Sequence, residues 1–201
     1  MGIPVLILGE SGTGKSASMR NFQEGEVGII NVARKPLPFR SKIKTFNSDD
    51  YAKIEGVIKV MKSPSAVIDD AQYLLVNEFM RRTAERGFDK FSDMAYKYWH
   101  LVQTIIDLPE DKIVYMMSHI DRDSYGNEKC KTIGKVLDDK ITVEGMFTIV
   151  LKTKVTDGKY SFITQNQGND TVKSPIGLFE SAEIDNDLKM VDNAIRAYYN
   201  I

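Results

Sequence analysis

Cysteine is nearly absent from this chain. Cys130 is the only one among 201 residues, so no internal disulfide can form. Histidine is as scarce, and a single thiol with only His100 and His119 does not furnish a Cys/His zinc site. Charge of one sign is also lacking: 27 Lys and Arg stand against 28 Asp and Glu, a net charge of −1. That balance excludes a global basic field for gathering nucleic acid and leaves room only for a local patch or a groove formed on oligomerisation. No apolar run approaches the roughly 18 residues of a membrane span, and no signal sequence precedes the first apolar segment. The expectation is a cytoplasmic protein with no membrane partner. At 42% hydrophobic content the chain can build one good core and is short for two, so one domain over residues 1–201 is expected. There is no internal repeat, low-complexity tract or linker.

What is present begins with GESGTGKS, Gly9 to Ser16, between IPVLIL and ASMRNFQ. Gly9, four residues, then Gly14, Lys15 and Ser16 is the full P-loop spacing. The pattern needs an apolar strand to deliver the loop and a helix to leave it. Ile3 to Leu8 supplies the first, and Ser16 to Gln23 can supply the second. Glycines at 9, 12 and 14 allow turn conformations closed to other residues, so that successive backbone N–H groups across Gly9, Glu10, Ser11, Gly12, Thr13, Gly14, Lys15, Ser16 and Ala17 can face phosphate oxygens. Lys15 is expected to reach the β- and γ-phosphates of ATP, and Ser16 to ligate Mg²⁺.

Further along, strand-like and helix-like segments alternate. Val27–Asn31 reads as a strand, IKTF as a short one, and Ser48 as the N-cap of DDYAKIEGVIKVMK. AQYLLVNEFMRRTAER and SDMAYKYWHLVQTIIDL read as helices broken near Gly87, and Lys112–Ser118 as a buried strand. FTIVLKTKV and KYSFITQ flank Asp157-Gly158 as a β-hairpin, and a last helix is expected from about Ser181 to Tyr199. The alternation predicts an α/β fold: a mainly parallel sheet with helices on both faces and a C-terminal β-hairpin.

Ala66, Val67 and Ile68 followed by Asp69 form an apolar strand ending in an acid, the Walker B pattern, which makes Asp69 the second magnesium-side residue. Asp70 is a candidate to orient or activate the attacking water, or else the N-cap of the helix beginning at Ala71. At the tip of the Lys112–Ser118 strand, Ser118 and His119 are candidates to sense the γ-phosphate, although a polar strand tip also suits a solvated loop. His100, among Tyr96, Trp99, Leu101 and Val102, reads as a packing or surface residue.

GESGTGKS, AVIDD, the strand tip SH, GKVLDDKITVEGMFTIVLKTKV and TVKSPIGLF together resemble the small RecA-like, AAA-type P-loop ATPases of bacteriophages and prophages, including the annealing-type recombination ATPases. The resemblance covers nearly the whole chain. It implies a RecA-like fold, Mg²⁺-dependent ATP hydrolysis, a role in DNA recombination or single-stranded DNA metabolism, and active sites shared between subunits of a homo-oligomer. In such assemblies a Lys-x-Lys pair reaches the neighbour's nucleotide. Lys152 and Lys154 match that pattern, with Lys173 a third candidate, while two lysines two apart on a strand also read as one solvent-facing row. The chain departs from the family in two places. NVARK follows the second strand, with Asn31 where an acid is usual, and no polymerising arm precedes Ile3.

For single-stranded DNA the candidates are MRRTAERGFDKF, with Arg81, Arg82, Arg86 and Lys90 among Phe88 and Phe91, and DRDSYGNEKCK, with Arg122, Tyr125, Lys129 and Lys131. Acids interleave both stretches, as on a solvated face. Two other functions compete. One is a nucleotide-dependent assembly module with little turnover. The other is a small-molecule or nucleotide kinase, against which stand the C-terminal hairpin and the lack of an arginine-rich lid.

Overall fold

A computed structural model describes all of residues 1–201. Its centre is an eight-stranded sheet in the order β10-β9-β8-β1-β5-β4-β2-β3. The strands are β1 (Ile3–Leu8), β2 (Val27–Asn31), β3 (Thr45–Asn47), β4 (Ser65–Asp69), β5 (Ile113–Ser118), β8 (Ile149–Thr156), β9 (Lys159–Ile163) and β10 (Glu183–Asp185). A separate antiparallel pair, β6 (Ile120–Arg122) and β7 (Glu128–Cys130), comes directly after β5. The six strands from β3 to β8 run parallel, and β9 alone is reversed, antiparallel to both of its neighbours, β8 and β10. This is the expected α/β architecture, with the hairpin at Asp157-Gly158 joining β8 to β9.

The parallel strands are apolar on both faces, because both faces are covered. On one side Leu6, Ile68, Val114, Met116 and Val150 pack beneath α1 (Tyr51–Val60), α2 (Gln72–Arg81) and α3 (Asp89–Ile106) in a cluster of 26 buried residues. On the other, Val5, Ile7, Val67, Tyr115 and Leu151 pack with Met19, Phe22 and α4 (Leu188–Tyr199) in a cluster of 17. No helix is long and apolar enough to cross a membrane.

Several boundaries differ from expectation, each for a local reason. The turn after the glycine loop is a short 3₁₀ helix, Ser16–Asn21, not an α-helix reaching Gln23. Asp50, not Ser48, caps α1 by accepting from the Lys53 N–H at 3.1 Å; the Ser48 hydroxyl instead accepts from the Asp50 N–H. The chain leaves α2 at Arg81, where the Arg82 guanidinium turns to Glu78 and Glu85, and Gly87 at φ 91° lets α3 start at Asp89. The last helix starts at Leu188, not Ser181, because Asp187 accepts from the Lys189 and Met190 N–H groups and residues 183–185 pair with β9 as β10.

Register positions the site. Leu8 lies opposite both Ser118 and Lys152, and Asn31 lies opposite Asp69, so β1, β5, β4 and β2 end at a common edge. The connection leaving β1 covers one face and the helices after β4 cover the other. The crevice beyond these carboxyl ends is where a parallel sheet opens between its layers.

Candidate functional site

The loop after β1 is held by contacts only glycine allows. Gly12 and Gly14 adopt φ of 80° and 95°. A Cβ on Gly9 would lie 1.8 Å from Thr153 Oγ1, and one on Gly14 would lie 2.8 Å from the Tyr160 ring. β8 and β9 therefore press against the loop, and the Thr13 and Thr153 hydroxyls meet at 2.6 Å. Lys15 turns inward and is 6% exposed, its ammonium donating to the carbonyls of Gly9 and Glu10 at 2.8 Å each. Burial pushes its pKa down to about 8 against the opposing pull of Asp70 and Asp69. These contacts are to neutral dipoles, so the positive charge is not cancelled by a touching anion.

Ser16 Oγ donates to Asp69 Oδ1 at 2.9 Å, joining two positions 53 residues apart in sequence. Asp69 is buried at the end of β4. Burial, reinforced by neighbouring Asp70, raises its carboxyl to about 6, and the Ser16 hydrogen bond acts the other way. A hydroxyl paired with a carboxylate is a hard oxygen pair suited to a magnesium hydration shell completed by phosphate oxygens. No group of three or more His, Cys, Asp or Glu side chains is arranged to hold a metal ion.

Asp70 has φ 56°, a left-handed conformation that costs most residues energy and that Asn and Asp tolerate better than other non-glycines. The turn is held by the Ala71 N–H donating to the Met117 carbonyl at 2.7 Å. α2 has no side-chain cap, so the capping reading of Asp70 is not the one the geometry takes. Its carboxylate instead accepts from Lys35 Nζ at 3.0 Å through one oxygen and lies 3.7 Å from His119 Nε2 through the other. His119 is held by its backbone N–H donating to Gln72 Oε1 at 2.8 Å, and burial, with Lys15 nearby, lowers its pKa. Ser118 alternates onto the α3 face with Val114 and Met116 and does not line the crevice.

Lys15, Ser16, Asp69, Asp70 and His119 thus border one cavity of about 530 Å³, together with Lys35 and Tyr160. A larger cavity of about 800 Å³ lies among α1, α2 and α3, but the charges around it pair with one another, Arg34 and Arg81 with Asp49 and His100 with Glu55. His100 holds the surface role expected of it.

Other sequence candidates fall elsewhere. Lys152 is 14% exposed and bonded to Glu128 at 2.8 Å and Asp170 at 2.9 Å. Burial works to lower its pKa, and these two hydrogen bonds outweigh it and hold the ammonium above its ordinary value. Lys154, 41% exposed, pairs with Glu183 at 3.1 Å. The backbone of Lys173 makes an antiparallel bridge to Val150 beyond the end of β9. None of the three enters the crevice. In the first DNA candidate region, Arg82 is tied to Glu78, Glu85 and Asp93, and Lys90 sits over Phe79 and Phe91. In the second, Arg122 bridges Glu10 and Glu128, and Lys129 binds Asp138. Phe88 and Tyr125 remain exposed.

Lys35 is a site residue that no sequence motif marks. Its loop is fastened by Asn31, whose side chain donates to the Lys35 carbonyl at 2.6 Å and accepts from its N–H at 3.3 Å. Where the sequence shows a missing acid after β2, the structure shows an amide anchoring a cation. The signal available was NVARKP itself, a lysine between a strand end and a proline, but nothing local says which way it turns. No family model matches the chain and no curated protein matches it, so the site is read from its own geometry.

Proposed function

We infer that the chain binds Mg-ATP in the crevice at the ends of β1, β4 and β5 and hydrolyses the terminal phosphate, as a RecA-like P-loop ATPase of the phage recombination type. The observation that carries the reading is the Ser16–Asp69 hydrogen bond within the cavity that Lys15 borders. Distant motifs with separate roles on one ligand meet where that ligand's phosphates would lie.

The glycine loop fits a phosphate chain, because two left-handed glycines and a crowded Gly9 keep side chains off these positions, as a loop that offers backbone N–H groups to phosphate requires. Lys15 supplies the cation for the β- and γ-phosphates. Ser16 and Asp69 would hold Mg²⁺, which when bound neutralises charge on the β- and γ-oxygens. Asp70 accepts a proton from the attacking water as its oxygen bonds to the γ-phosphorus and the bond to the β–γ bridging oxygen breaks, giving ADP and phosphate. His119 stands on the other side of Asp70, with Nε2 3.7 Å from the carboxylate, and would sense the γ-phosphate.

Single-stranded DNA is the proposed macromolecular partner. Arg81, Arg82, Arg122 and Lys129 are engaged with acids of the same chain, so a DNA contact through these four must displace them. Calorimetric titration with ATP, with and without Mg²⁺, combined with phosphate release and particle size measured with and without single-stranded DNA, tests each part. Absence of Mg-dependent ATP binding at millimolar nucleotide would overturn the ATPase reading. Binding without turnover under every condition would favour the assembly module instead.

A further inference from the structure

We propose that Lys35 is a second phosphate-binding cation, delivered in cis by the loop after β2, whose ion pair with Asp70 opens when the terminal phosphate of a nucleoside triphosphate enters. The inference rests on the ATP-site reading and adds a residue that neither the glycine motif nor the acidic strand end contains.

Three observations on separate groups converge. First, the Lys35 backbone is gripped at both its N–H and its carbonyl by the buried Asn31 side chain, at the end of a core strand. Pro36 and Pro38 stiffen the adjoining stretch of the loop. Second, the side chain is tethered at its tip alone: it is 59% exposed and meets the site only through its ammonium, at Asp70 and over the Tyr73 ring at 4.9 Å. A fixed backbone with a free, long side chain can move its charge a few ångströms without moving the loop. Third, Lys35 and Lys15 border the same cavity and are close enough to feel each other's charge, so the crevice holds two ammonium groups facing one space. Charge adds an argument to these: an ionised Asp70 and a phosphate at close range repel each other. An ammonium between the two relieves that repulsion and turns from carboxylate to phosphate as the latter arrives.

The arrangement predicts discrimination by phosphate number. ADP ends before the position Lys35 guards, whereas ATP reaches it. Lys35→Met keeps the aliphatic stem and removes the charge. In calorimetric titrations with Mg-ATP and Mg-ADP, this variant should lose about tenfold in ATP affinity with ADP affinity unchanged, the worth of one charge-assisted contact. Turnover at saturating ATP should fall about ten- to a hundredfold, less than an arginine finger because lysine lacks the bidentate fork. Lys35→Arg should recover part of both. Thermal unfolding of each variant should match the parent, because the side chain is on the surface.

A second comparison separates a phosphate contact from mere shielding of Asp70. If Lys35 only neutralises Asp70, then Lys35→Met/Asp70→Asn binds ATP as well as Asp70→Asn does. A weaker ATP affinity in the double variant is expected and supports direct contact. Equal affinities, or an ATP-to-ADP preference in Lys35→Met equal to the parent's, would overturn the proposal while leaving the ATP site standing. A parent that binds neither nucleotide would overturn both.

Discussion

Lys15, in the loop after β1, and Lys152, within the neighbouring strand β8, are both poorly exposed lysines, and the protein treats them in opposite ways. Lys15 rests on two carbonyl oxygens and its pKa is pushed down to about 8 by burial. Lys152, less deeply buried, sits between two carboxylates that overcome its burial and hold its pKa up. A carbonyl orients an ammonium without cancelling it, so the charge stays available to a ligand. Two carboxylates consume it. The comparison separates a cation poised to bind from one that holds the structure together, a distinction that charge counting along the chain does not make.

The comparison breaks most visibly at Lys15. Lys15→Ala should lower ATP affinity by about a thousandfold, equivalent to about 4 kcal/mol, because one buried cation serves two phosphates. Isothermal titration checks this, and an affinity equal to the parent's would remove the phosphate loop from the account. Lys152→Met should do the reverse. It strands Asp170, whose side chain is 1% exposed, beside Glu128, and breaking such a partly buried pair costs about 3 kcal/mol. For a chain of this length that is a fall in melting temperature of about 6–12 °C, with ATP affinity intact. An unchanged melting temperature would mean that the ion pairs of Lys152 contribute nothing, and adding Asp170→Asn should restore much of any loss.

Within the crevice, Asp70 and Asp69 are neighbours given different tasks by backbone geometry. Asp69 ends its strand and faces Ser16; Asp70, at φ 56°, turns away to Lys35 and His119. Asp70→Asn should therefore retain ATP binding and slow hydrolysis by about a hundredfold, the usual worth of a positioned base. Equal single-turnover rates in variant and parent would leave Asp70 a residue of the turn alone.

The parts legible in the sequence are those fixed by local rules. The glycine spacing, the apolar strand closed by Asp69 and the Asp157-Gly158 turn each carry their own conformational cause, and each lies where expected. The order of strands, which puts β5 between β1 and β4 and so brings His119 between the loop and Asp70, arises from long-range packing that no short stretch encodes. Lys35 stayed hidden for the same reason: its anchor is four residues away, but its partner is 35 residues away on the far side of β3 and β4 in sequence. The Lys-x-Lys pattern says nothing of how Lys152 is held, since the acids that bind it lie at positions 128 and 170 on separate segments.

Lys154 is the finest test of the comparison. It is more exposed than Lys152 and pairs with a single, equally exposed carboxylate, Glu183, so it is held weakly, and a surface pair of that kind is worth under about 1 kcal/mol. Lys154→Ala should alter neither the melting temperature nor ATP affinity measurably. If Lys35 supplies the second cation from within the same chain, turnover should also stay within about twofold of the parent, since no neighbour need contribute the charge that phosphoryl transfer requires. A shared site gives a different pattern. Parent turnover per subunit would rise with protein concentration, Lys154→Ala would show no such rise, and mixing it with Lys15→Ala subunits would recover activity, since one partner brings an intact loop and the other an intact lysine. Recovery in the mixture would place Lys154 with Lys15 among the poised cations and make assembly part of the mechanism. Its absence, with mixed oligomers shown to form, would leave Lys154 a surface residue beside Lys152, and the chemistry complete within one subunit.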